Sequence, residues 1–147
     1  MRAPRTRAAR VLTNALPGAA LVRATRLLRN PEHRRVALLA GGLGGSSVVH
    51  AVRPQVFEPI IPPGIGDARR WVYVSGVAEA ACAALLLVPA TRRLGGWVSA
   101  AVLVGVFPAN VYSVKVVSRS KPLQAVALAR LPLQVPMITA ALRVAKG

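Results

Sequence analysis

At 147 residues the chain has room for one domain or one small bundle. It is 54% apolar and only 16% charged, against about a quarter charged in ordinary soluble domains, which leaves too little polar surface for a water-soluble fold and points to lipid. The net charge of +16 does not imply a nucleic-acid partner: nine of the twenty basic residues lie in the first 35 positions, the rest fall singly or in pairs between apolar runs, and no aromatic residues interleave with them to stack on bases.

Residues 1–35 form a basic segment. Within 19–29, Arg23, Arg26 and Arg29 share one helical face, while Ala20, Leu21, Ala24, Leu27 and Leu28 share the other. That pattern predicts a short amphipathic helix lying on the inner leaflet, separated by Pro17 and Gly18 from a basic start. An Arg-rich, acid-poor leader also has the composition of a transit peptide.

From residue 36 the charges divide the chain into four apolar stretches, 36–52, 71–91, 94–114 and 122–142, broken only by Glu79 and Arg130. A spanning helix needs roughly 20 apolar residues, so three stretches suffice and the first is marginal. Backbone groups in lipid must be satisfied within the segment, which predicts an all-α, four-helix transmembrane bundle over 36–147. The nine N-terminal arginines predict that both termini are cytoplasmic, although Lys115, Arg119 and Lys121 in the third connection then lie outside, against the positive-inside rule. Trp71, Tyr73, Trp97 and Tyr112 sit near span ends, where amphipathic rings favour the interface. Gly41 and Gly45 form a small-xxx-small pair expected to allow close helix contact.

Ionisable residues inside a span are costly and mark candidate sites. Glu79 and Arg130 each lie eight residues from the outer end of their stretch, so a rise of 1.5 Å per residue puts both about 12 Å deep and makes them natural partners. His50, Ser75, Asn110 and Gln134 add polar groups to the same outer half, and Pro108 and Pro132 would each free a carbonyl nearby. Two readings stand side by side. The pair could fix helix register, or the cluster could hold a proton, a quinone head group or another small molecule, with Arg130 gripping an oxygen and Glu79 titrating or accepting a hydrogen bond. Cys82 has no second thiol and reads as packing; no residue set suggests catalysis or a metal site.

Six stretches resemble the DoxX-like family of small bacterial membrane proteins. They are HAVRP (50–54), IIPP (60–63), WVYVSGVAE (71–79), TRR (91–93), FPANVY (107–112) and RLPLQ (130–134), in order within a resemblance that covers about Ala40 to Lys146. The resemblance implies a four-helix bundle in the bacterial inner membrane and a link to redox processes. Some members resemble the small subunit of thiosulfate–quinone oxidoreductases, and others are proposed partners of oxidative-stress enzymes. Ala51 departs from the pattern, in which an aromatic often follows the histidine. The expected function is therefore an accessory subunit, more than an enzyme in its own right, that binds quinone or a redox-enzyme partner through the outer-half cluster. The alternatives are a scaffolding bundle without ligand, or a small transporter, which at four spans per chain would require a homo-oligomer.

Overall fold

In the computed structural model Arg35–Gly147 form one compact unit. The structure describes residues 30–147, so the amphipathic helix expected over 19–29 lies outside the described residues. Five helices follow in order: α1 (Pro31–Val52), α2 (Ala68–Leu87), α3 (Arg92–Gly105), α4 (Phe107–Val116) and α5 (Lys121–Lys146). Short 3-10 turns at Pro54–Val56, Glu58–Ile60 and Pro89–Thr91 complete the connections, and no strand occurs among the described residues. Four stretches are long and apolar enough to cross a bilayer: α1, α2, the α3–α4 pair, and most of α5. The protein is an all-α bundle of four spans.

The helices overrun the uncharged stretches from which they are read. α1 starts at Pro31, α2 takes in Arg69 and Arg70, and α5 runs on to Lys146. Long basic side chains can keep their stems on apolar surface while the charged heads reach the interface, so a charge need not end a span. What begins α2 is Asp67, whose carboxylate accepts from the backbone N–H groups of Arg69 (2.9 Å) and Arg70 (3.3 Å).

At one end of the bundle the helices approach very closely. A Cβ on Gly96 would lie 2.5 Å from the Ala145 nitrogen of α5, and one on Gly95 would lie 2.8 Å from Leu85 and Leu86 backbone atoms of α2. These adjacent glycines let α3 press against two neighbours at once, which in lipid supplies the dispersion contact that holds helices together. Leu39, Leu43, Cys82, Leu86, Ala141 and Val144 fill the core around this region. Cys82 is fully buried there, as a packing residue would be. Two arginines close the helix ends: Arg92 Nε donates to the Leu86 carbonyl at 3.1 Å, and Arg93 Nε to that of Ala145 at 3.2 Å.

The expected contact through Gly41 and Gly45 is not made. Both are exposed, and a Cβ on either would meet nothing within 4 Å. The buried face of α1 carries Val36, Leu39, Ala40, Leu43 and His50, which turns Gly41 and Gly45 outward. Gly44 instead faces Ala83 at 3.6 Å.

The two prolines behave differently. Pro108 lacks the N–H its helix needs, and the third span breaks at Val106, between α3 and α4. Pro132 does not break its helix, for α5 continues through both Pro132 and Pro136. A lost hydrogen bond inside a helix is tolerated in membranes when neighbouring helices hold its two halves in line.

Candidate functional site

The break at Val106 shapes the other end of the bundle. α3 lies against both α2 and α5, and α4 continues along α5, but no Cα of α4 comes within 8 Å of one in α2. The α4 half of the third span has swung away from α2. The Glu58–Ile60 turn fills the end of this gap, touching α2 on one side and α4 on the other. Two bonds fix the loop as a roof: Arg69 Nε donates to Glu58 Oε1 at 2.6 Å, and Trp71 Nε1 to the Ile65 carbonyl at 2.6 Å.

Under this roof lies a cavity of about 350 Å³ with mostly apolar walls, including Ile60, Ile61, Trp71 and Val74, and with His50, Glu79, Asn110 and Arg130 among its polar residues. A second cavity of about 320 Å³, bordered by Gly42, Ser46, Gln134 and Met137, adjoins it. Glu79, Val106, Asn110 and Arg130 line both. Of the six polar residues expected to cluster, His50, Ser75, Glu79, Asn110 and Arg130 border the first cavity, and Gln134 borders the second.

Their partners differ from the expected ones. Glu79 and Arg130 line the same walls but form no ion pair within 4 Å; the close partner of Glu79 is His50, with Nδ1 3.5 Å from Oε2. The two depths were counted from the ends of the uncharged stretches, whereas α2 begins three residues earlier, placing Glu79 roughly 16 Å from its first residue. α1 stops short beside it. A Cβ on Gly76 would lie 2.7 Å from His50 Cβ, so the histidine near the end of α1 stands level with the third turn of α2. The missing Cβ at Gly76 is what allows His50 to approach Glu79.

His50 is held firmly. Its Nδ1 donates to the Ser46 carbonyl at 2.8 Å, and its ring stacks on Phe57 with centroids 3.9 Å apart. In the tautomer whose Nδ1–H makes this bond, Nε2 is the ring nitrogen left to accept another. Ser75 turns back on its own helix, donating to the carbonyls of Trp71 and Val72. Asn110 and Gln134 satisfy one another: Asn110 Nδ2 donates to Gln134 Oε1 at 2.9 Å, and Gln134 Nε2 donates to the Leu103 carbonyl just before the break. This network ties α5 to both halves of the broken span, a role that the sequence spacing of Asn110 and Gln134 does not reveal.

Glu79 and Arg130 remain. Glu79 is 4% exposed, and its Oε2 is buried without a hydrogen-bond partner. Arg130 is half-buried and makes no hydrogen bond or ion pair with the described residues. Among the described residues the other orphaned buried side-chain atoms are His33 Nδ1 and Ser99 Oγ, and neither residue borders these two cavities. An unsatisfied buried polar atom costs on the order of 1–3 kcal/mol, and more when charged, so Glu79 Oε2 calls for a partner beyond the described side chains.

The match to known families covers this same region. A family model described as a domain of unknown function, DUF8561, matches residues 39–145. The chain belongs to the DUF8561 family. The DUF8561 match takes in every residue named above at the two cavities. No curated protein and no solved structure matches the chain.

Proposed function

We propose that this chain is an integral protein of the bacterial inner membrane, with both termini in the cytoplasm, that binds a small molecule between α2 and α4 and serves as an accessory subunit to a redox enzyme. The observation that carries the binding reading is Glu79, a buried carboxyl whose Oε2 lacks a hydrogen bond, which faces a largely apolar cavity beside Arg130, itself without a partner among the described residues. A quinone head group fits that chemistry. Arg130 would donate to a ring oxygen, while Glu79 would accept from a hydroxyl as a carboxylate or donate to a carbonyl as an acid. His50, fixed by Ser46 and Phe57, offers Nε2 as a proton acceptor close by. A bound quinone would supply the two-electron chemistry, and the partner enzyme the electrons. The resemblance to DoxX-like proteins supports this redox context.

The test is binding of decylubiquinone to the purified protein. Glu79→Gln should fold normally and lose at least tenfold in affinity; unchanged affinity would remove the site. Co-purification from native membranes of a redox enzyme together with quinone would support the accessory role, and isolation of the chain alone would count against it.

A second reading, a scaffolding bundle without ligand, is favoured by the Asn110–Gln134–Leu103 network, which has all the marks of a device for fixing helix register. It predicts that no quinone binds and that removing Glu79 only stabilises the fold.

A further inference from the structure

Resting on the reading that the cavity binds a ligand, we infer that it is filled sideways from the bilayer by a neutral molecule with a hydroxyl-bearing head, whose chain lies in the gap between α2 and α4. Three observations lead there. The route at the end of the bundle is roofed by the Glu58–Ile60 turn and pinned by the Arg69–Glu58 and Trp71–Ile65 bonds. The flank is not roofed. α2 and α4 do not meet, and the cavity wall in the gap is built from Ala78, Ala109 and Gly105, where an added Cβ would find nothing within 4 Å. On this flank the cavity wall itself is apolar and outward-facing, with Val74 on α2 51% exposed and Gly105 exposed on the opposite side, so it faces hydrocarbon.

The floor of the cavity selects the head group. One acid and one guanidinium of opposite charge border it, and neither has a hydrogen-bond partner among the described residues, so their charges balance without an ionic ligand. What they lack is a donor for Glu79 Oε2 and an acceptor for Arg130, and one hydroxyl group can provide both. A charged head would leave one of them opposed or unmatched in low dielectric, at a cost that a neutral hydroxyl avoids.

The experiment uses the full chain in lipid nanodiscs with Trp97→Phe, which leaves Trp71, on the cavity wall, as the sole tryptophan. Quenching of Trp71 is followed with a ring-brominated 4-dodecylphenol, with chainless 4-bromophenol, and with 11-bromoundecanoate as the anionic comparison. Sideways filling predicts saturable quenching by the dodecyl probe whose rate rises with its mole fraction in the bilayer. Gly105→Phe, which fills the gap, should slow that quenching at least tenfold while leaving 4-bromophenol within about twofold of the parent. If Gly105→Phe lowers the melting temperature, Ala109→Leu repeats the measurement about one turn further along the same side of the gap.

The outcomes separate the two ideas. Unchanged quenching by the dodecyl probe in both plugged variants overturns the sideways route and leaves the site standing. Equal loss of both phenols in a folded plugged variant also overturns it, because the substitution then acts on the head group. No saturable quenching by any probe in the parent removes the binding site itself, and this inference with it. Tighter binding of 11-bromoundecanoate than of the dodecyl phenol overturns the neutral head group.

Discussion

The two ends of this bundle are built to opposite rules. Where α3 meets α2 and α5, glycine brings backbones into contact, the core is almost wholly apolar, and arginines cap the helix ends. Beyond Val106 the third span parts from α2, cavities of about 350 and 320 Å³ open, and buried polar residues replace aliphatic ones. One end supplies the contact that keeps the helices together, which lets the other carry an unsatisfied carboxylate. The division comes from two local features, a glycine pair at one end of the third span and a proline in its middle.

Overfilling each end tests this division most severely. Gly96→Leu should prevent folding or cost at least the upper part of the ~1–3 kcal/mol typical of overpacking, because the new side chain meets Ala145 backbone at 2.5 Å. The measurement is the fraction unfolded in an SDS titration from mild detergent. Gly45→Leu, facing outward, should leave that curve in place; a comparable loss there would mean that α1 makes a contact in its membrane that a single chain does not contain.

A smaller effect is expected from Gln134→Leu. It removes two hydrogen bonds and strands the Asn110 amide, which should cost about 1–3 kcal/mol in the same titration. A neutral result would show that the break at Val106 is held by apolar contact alone. Next in size is the pairing of Glu79. A double-mutant cycle of His50→Ala with Glu79→Ala should show coupling of at least ~0.5 kcal/mol, and the cycle of Arg130→Ala with Glu79→Ala should show less. The reverse ranking would mean that the arginine, and not the histidine, holds the acid. Smallest of all, Gly45→Ala should change stability by no more than a gain of ~1 kcal/mol from helix propensity.

Span number and helix type were legible in the sequence because both follow from bulk apolar length, which no tertiary detail overrides. Glu79 and Arg130 stood out as charges inside apolar runs, and both border the two cavities. Their partners were not legible. Pairing Glu79 with Arg130 assumed that all four helices begin in one plane, but α1 ends beside Gly76 and places His50 against the acid instead. A glycine at position 76 carries that information only once α1 is known to lie against it. Gly41 and Gly45 show the converse: the spacing for close contact was present, but the apolar face of α1 through Leu39 and Leu43 turned it outward. The adjacent pair Gly95–Gly96, with no four-residue spacing at all, makes the closest approaches in the bundle. Among the prolines, Pro108 marks the break, but sequence could not say that Pro132 would be carried within an unbroken helix.

The arginines at 92 and 93 have a consequence for biogenesis. During insertion they are simply two positive charges in a short turn, the kind of signal by which basic residues bias a connection toward one side of the membrane. After folding, the same guanidiniums are bound to the carbonyls of Leu86 and Ala145, where they close the ends of α2 and α5. Topology and tertiary structure are thus written in one dipeptide and read at different moments. Lysine at both positions would preserve that signal while losing the planar, forked donor that reaches those carbonyls. A chain so altered would be delivered in the correct orientation and yet be slow to lock, an orphan for membrane quality control to find.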